Sequence, residues 1–204
     1  VLRTPCVRLQ ALIAVIAVLL LYTGFFYANR NWFEVADFTK SEWREAAEYV
    51  RWRINQDGNR DSTLVTLVSG HAWPVWNYYA PDMPAVQFPE LEILDVNAVL
   101  DYNDVAGKLY DAIKDHDNVW LIQWQARVVD PMDIVPLQLE LAGKEEEMDV
   151  EFWQLRLRHF RDVSADRILT RPITHSNKSI NFGNLIQLLD YEVASNGDLL
   201  LYWQ

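Results

Sequence analysis

Cysteine is almost missing from this 204-residue chain: Cys6 stands alone, so no intrachain disulfide can form and no zinc-ligand spacing exists. Glycine is scarce too, at seven residues, which leaves little material for phosphate cradles. No G-x-G-x-x-G, P-loop Gly-Lys-Ser/Thr or G-x-S-x-G follows either strongly apolar strand segment. A nucleotide-binding Rossmann domain and a serine hydrolase are both disfavoured. The four histidines, His71, His116, His159 and His175, show no H-E-x-x-H spacing, so no metal centre is expected. Repeats and low-complexity tracts are lacking as well.

Negative charge is missing from residues 1–30, which hold Arg3, Arg8 and Arg30 for a net of +3. The other 174 residues carry 15 basic and 29 acidic side chains, a net of −14. Nucleic-acid binding relies on Lys and Arg neutralising phosphates, so so acidic a segment argues against it. What the chain has in plenty is apolar material. Half of it is hydrophobic and 13% aromatic, with nine Trp, enough for a packed core.

The run "ALIAVIAVLLLYTGFFYA", residues 11–28, contains no charge. As a helix it spans about 27 Å, close to the hydrocarbon thickness of a bilayer. Tyr22, Tyr27 and Trp32 lie where an aromatic belt would sit, and Arg3 and Arg8 flank the other end. Phe25, Phe26 and Tyr27 are poor signal-cleavage residues. A transmembrane helix is therefore expected over residues 9–28, with a connector over 29–40. Arg30, Lys40 and Arg44 balance Arg3 and Arg8 across the span, so charge counting leaves orientation open.

Beyond the connector, Thr39-Lys40-Ser41-Glu42 has a capping-box pattern, with Thr39 as N-cap and Glu42 at the third helical position. Trp43, Ala46, Ala47, Val50 and Ile54 follow at helical spacing, and Asp57-Gly58 ends the run. "TLVTLV", 63–68, predicts a strand buried on both faces. Pro74 opens a short helix through Tyr79, Val86–Phe88 allows a short strand, and a helix is expected from about Asn103 to Asp115. "NVWLIQW", 118–124, is a second apolar strand. Asp130-Pro131 predicts a third helix, with Asp130 as cap, Pro131 at its first position and Gly143 as the stop. "KEEEMD", 144–149, reads as a solvated acidic turn. "FWQLRLRHF", 152–160, alternates as a half-exposed strand should. Residues 41–161 thus predict an α/β layer domain with a mostly parallel sheet. Strand signals alone follow at 180–182, 185–193 and 199–203, with a turn at Ser195-Asn196-Gly197-Asp198. Residues 162–204 accordingly read as the start of a β-sandwich cut short. With no Met at position 1, the sequence reads as an excerpt of a longer protein.

One loop invites a binding role. His71 follows a buried strand at the expected carboxyl edge of the sheet, where open α/β folds place ligands. Trp73, Trp76, Tyr78 and Tyr79 come within eight residues, and aromatic faces can stack on sugar rings. His71, Trp73, Trp76 and Tyr79 are the candidate substrate-binding residues. The competing account packs the same side chains onto the sheet. His116 and His159 read as surface or edge residues. Asn177-Lys178-Ser179 matches the N-glycosylation acceptor pattern, a three-residue match without independent weight.

"SEWREAAEYVRWRINQDG … STLVTLVSGHAWPVWNYYAP" resembles the segment after the last span of bacterial multi-spanning glycosyltransferases of the protein-mannosyltransferase and aminoarabinose-transferase type. "VWLIQWQARVVDP" is similar to their second strand and following helix, and "INFGNLIQLLDYEV … GDLLLYWQ" to the start of an appended β-sandwich. This resemblance implies transfer of a sugar from a polyprenyl-phosphate carrier to an acceptor on the outer side of the membrane, with no cofactor. It also implies catalytic acids in an early loop outside these residues, so no catalytic residue is assigned. Partners would be membrane lipid and the lipid-linked sugar, met through a membrane domain not contained here; no nucleic acid is expected. The alternative is a single-span anchored extracytoplasmic binding or scaffold domain without activity.

Overall fold

The computed structural model describes residues 4–35, 40–91, 95, 97–168, 180–193 and 199–203. Contacts divide the chain into two units, Val1–Ser41 and Glu42–Gln204.

The first unit is built on one helix, α1, Thr4–Glu34. Within its Leu9–Glu34 portion an 18-residue stretch reaches a mean hydropathy of 2.3, none of that stretch is buried against protein, and the helix is long and apolar enough to cross a membrane. The Thr23 hydroxyl donates to the Leu19 carbonyl at 2.7 Å, which removes a bare polar group from the apolar stretch. Charge returns only in the last turns, where Arg30 Nε meets Glu34 Oε2 at 2.6 Å.

In the second unit, α2 (Trp43–Asp57) starts one residue after Glu42. Thr39, expected as the cap, lies outside the described residues. Glu42 is not at the third helical position; it stands before the helix, and its carboxylate accepts the Trp153 N–H at 2.8 Å. The long-range partner displaces the local capping box. Gly58 closes α2 at φ 63°, a left-handed conformation that costs glycine little.

The chain then runs through β1 (Thr63–Val68), α3 (Trp73–Tyr79), β2 (Ala85–Phe88), α4 (Tyr102–Ile113), β3 (Asn118–Gln123), α5 (Ile134–Ala142), β4 (Lys144–Glu146) and β5 (Arg156–Arg161). The five strands form one sheet in the order β2-β1-β3-β5-β4. β1 pairs parallel with β2 and with β3, Thr66 lying opposite Val86 and Leu121. β5 pairs antiparallel with β3 and β4. The sheet is therefore mixed, not mostly parallel as expected. β4 and β5 are joined by nine residues with no crossover helix, and a parallel return needs a dozen residues or more. β5 consequently slots antiparallel between β3 and β4.

Both faces of the sheet are covered by helices. On one, Trp43, Ala47, Val50 and Trp76 of α2 and α3 pack against Val65, Leu67, Trp120, Ile122 and Leu157. On the other, Val105, Leu109, Ile113, Val135 and Leu139 of α4 and α5 pack against Leu64, Val68, Val119, Leu121 and Phe160. Burying each large apolar side chain contributes about 1.5–3 kcal/mol, which holds the three layers together. Thr66 is buried among them, with its hydroxyl donating to the Trp120 carbonyl at 3.0 Å. Val163 and Ile168 also join this core, so the layer packing passes the expected boundary at 161.

Two further expectations are corrected here. "KEEEMD" is not simply a solvated turn, because Lys144–Glu146 form the edge strand β4. The strand predicted at 152–160 begins only at Arg156, and it is half-exposed only in part: Arg156 is exposed, whereas Arg158 and His159 are buried. Gly143, between α5 and β4, is extended at φ −144° and is required for closeness alone. A Cβ there would lie 2.7 Å from Val163 Cγ2 and 2.8 Å from the Arg161 carbonyl oxygen.

A separate three-stranded antiparallel sheet joins β6 (Ile180–Phe182), β7 (Ile186–Val193) and β8 (Leu199–Trp203) in that order. The expected turn at 195–198 and the acceptor pattern at 177–179 lie outside the described residues. Phe182 and Trp203 pack ring to ring at 5.8 Å, and both are half-exposed.

Candidate functional site

The topology singles out one place on the sheet. From β1 the chain passes through α3 on one face to β2; from β3 it passes through α5 on the opposite face to β4. Neighbouring strands whose connections leave on opposite faces make a topological switch point, and ligands of α/β sheets bind outside the carboxyl ends of such strands. The Trp124 N–H donates to the Val68 carbonyl at 3.1 Å, tying the two strand ends together.

After β1, the Ser69 hydroxyl accepts the N–H groups of His71 (3.3 Å) and Ala72 (2.7 Å), bending the chain into α3. The four residues predicted to bind substrate do not converge. His71 lies edge-on to Trp73, ring centroids 6.1 Å apart, and Trp73 Nε1 donates to the Leu91 carbonyl at 3.0 Å. Trp76 is fully buried, its Nε1 donating to the Met83 carbonyl at 2.7 Å, so it belongs to the core and has no face to offer a sugar. Tyr79 lies at the far end of α3 under the Arg44 guanidinium, 5.6 Å from the ring centroid. An Arg51–Asp82 pair holds that end, with contacts of 2.7 and 3.0 Å; the Arg51 hydrogen bond lowers the Asp82 carboxyl to about 2. Only His71 and Trp73 share a surface.

Sequence reasoning missed the cluster after β3. A crevice of about 370 Å³ opens there, lined by Gln123, Gln125, Arg127, Asp133, Gln154 and Arg156 with Ala126 and Leu155. Gln123 ends β3 directly opposite Arg156 of β5, so the two side chains lie on the same face. Gln123 is 5% exposed; its Nε2 reaches Asp133 Oδ1 at 3.5 Å, and its Oε1 has no hydrogen-bond partner among the described residues. Gln125, Asp133 and Gln154 all adopt left-handed backbone, at φ 49°, 50° and 60°. Such conformations cost non-glycine residues about 1–3 kcal/mol each and gather at functional sites. The one signal in the sequence was the density of polar residues in "QWQAR" directly after a buried strand.

Asp130, buried in the loop before α5, ties down the start of that helix. Its two carboxylate oxygens accept the N–H groups of Ile134 (2.7 Å) and Val135 (3.0 Å). The expected placement is corrected: the helix starts at Ile134, not at Pro131, and Asp133 holds the N-cap position, while Asp130 satisfies the first N–H groups from three residues further upstream. Asp133 is left-handed at that position. Burial raises the Asp130 carboxyl above the ordinary carboxylate range in spite of these two bonds.

Across the sheet, β4 and β5 carry an ionic network. Arg158 donates through Nε to Glu145 at 2.6 Å and also pairs with Glu140. His159 is fully buried, stacked flat on Trp120 at 4.1 Å, with Nδ1 2.7 Å from Glu146 Oε2. Glu146 also meets Arg53 at 2.8 Å and Arg161 at 3.3 Å. Its carboxyl is held low, the bond to His159 and these cations outweighing the opposing cost of burial. Burial lowers the His159 imidazole below its usual value against the pull of Glu146. The network ties α2 to the sheet edge and exposes no reactive atom of His159. Among the described residues no group of three or more His, Cys, Asp or Glu side chains is placed to hold a metal ion. Compared with protein-family models, with curated proteins and with solved structures, the chain has no match.

Proposed function

We propose that the chain is the membrane-anchored, extracytoplasmic carboxyl-terminal part of an integral-membrane glycosyltransferase, one that moves a sugar from a polyprenyl-phosphate carrier to an acceptor. The observation that carries the anchoring is α1: the apolar 18-residue stretch within Leu9–Glu34 buries nothing against protein, as a lipid-facing span requires. The sugar-transfer half of the reading rests on the sequence resemblance described above. In this reading the transfer chemistry belongs to upstream spans and loops, the α/β layers brace the active site or engage the acceptor, and β6–β8 open a β-sandwich.

A single-span anchored binding domain is the second reading, favoured by the polar crevice at the switch point. The parent reading frame separates the two. Several further apolar spans ahead of Val1, with an acidic pair in the first extracytoplasmic loop, support the transferase; a start codon immediately before Val1 overturns it in favour of the anchored module. The full chain, reconstituted in vesicles and offered a polyprenyl-phosphate sugar, is expected to release none of it. Turnover by the chain alone would overturn the assignment of chemistry to other segments.

A further inference from the structure

We propose that the crevice at the carboxyl end of β3 binds an acidic sugar, with Gln123 reading a ring hydroxyl and Arg127 and Arg156 holding the carboxylate. The inference stands on the crevice itself and is independent of the sugar-transfer reading.

A buried amide arm without a partner costs about 1–3 kcal/mol, and Gln123 carries one where it lines an open crevice. The missing partner is a hydrogen-bond donor, which a sugar hydroxyl supplies and a fully deprotonated anion such as acetate does not. Gln125 and Gln154 on the same crevice add planar amides that donate and accept, as vicinal hydroxyls require, and Asp133 adds a pure acceptor.

The anionic end follows from charge. Two guanidinium groups face one carboxylate here, in a domain whose overall balance is strongly negative. Arg127 forms no salt bridge with a described residue, and Arg156, although within the field of Glu145, forms none either. Guanidinium groups take carboxylates in two-pronged, charge-assisted hydrogen bonds. The left-handed backbone at Gln125, Asp133 and Gln154 fixes where their side chains leave the chain, a form of preorganisation that lowers the cost of binding.

The test uses the full chain in detergent micelles and ligand-observed NMR titration with methyl β-D-glucuronide, methyl β-D-glucoside and sodium acetate. Saturable binding of the glucuronide is expected, at least about tenfold tighter than of the glucoside or acetate. Arg127→Gln, an exposed change that leaves the fold alone, is expected to erase that preference, and Gln123→Leu to weaken both sugars. Absence of saturable glucuronide binding, equal affinity for the glucoside, full competition by acetate, or an unchanged preference in Arg127→Gln would each overturn the proposal.

Discussion

His159 has its imidazole stacked on Trp120 and its Nδ1 at hydrogen-bond distance from Glu146. A neutral ring with its proton on Nδ1 donates to that carboxylate and leaves Nε2 as a buried acceptor. Protonation would place a charge where burial opposes it, which is why the group is shifted down. The sign of the consequence follows from linkage. Below the ordinary histidine value of about 6.5 the unfolded chain binds this proton and the folded chain does not, so stability falls as pH drops from about 6.5 toward the folded value. It is retained in full above that window. His159→Gln removes the proton-binding site, and urea midpoints measured between pH 5 and 7.5 are expected to flatten relative to the parent chain. An identical slope in the variant would mean that other groups govern acid sensitivity.

Helices and strands differ in how openly the sequence announced them. β1 occupies 63–68 as read, and α3 and α4 lie within two residues of expectation, because apolar periodicity is a local property. The edge strand β4 was hidden, since three glutamates look solvated until Arg53, Arg158, His159 and Arg161 arrive from elsewhere in the chain. Sheet direction was hidden for the same reason: alternating elements cannot reveal that β5 inserts between β3 and β4. Of the candidate site, the carboxyl edge was legible but its residues were not, since only the fold brings Gln123, Asp133 and Arg156 to one crevice. Asp130 lies between these cases. Its service to the start of α5 was readable, yet it reaches the helix from four and five residues upstream, with Asp133 at the N-cap position. Removing both acceptors in Asp130→Ala is expected to cost about 1–2 kcal/mol of stability, within the range for lost helix caps. Asp130→Asn keeps one acceptor without a buried charge and should cost less. Denaturant titration of the two variants checks the order, and equal losses would show that the carboxylate charge, not the hydrogen bonds, holds the helix start.

For the molecule as a whole, α1 would decide what the acidic domain can meet if it lies in lipid, as proposed above. A domain held at a bilayer samples lipid-linked or surface-bound ligands at high local concentration, whereas the same domain free in solution does not. That consequence depends on α1 lying in lipid, and the helix offers a direct way to test it. Leu19 and Leu20 sit in the middle of the span, both exposed, so changing them disturbs no protein core. An arginine near the centre of a spanning helix costs about 2.5–3.5 kcal/mol on insertion scales, so Leu19→Arg/Leu20→Arg imposes a penalty that the remaining apolar residues cannot offset. The parent chain is expected to stay with membranes through alkaline carbonate extraction and the double variant to be released. The contacts of Glu42–Gln204 are untouched by the change, so the released protein should keep the urea midpoint of the parent. Parent and variant behaving alike in the extraction would remove α1 from the bilayer, and with it the reason to seek the ligand of the β3 crevice at a membrane surface.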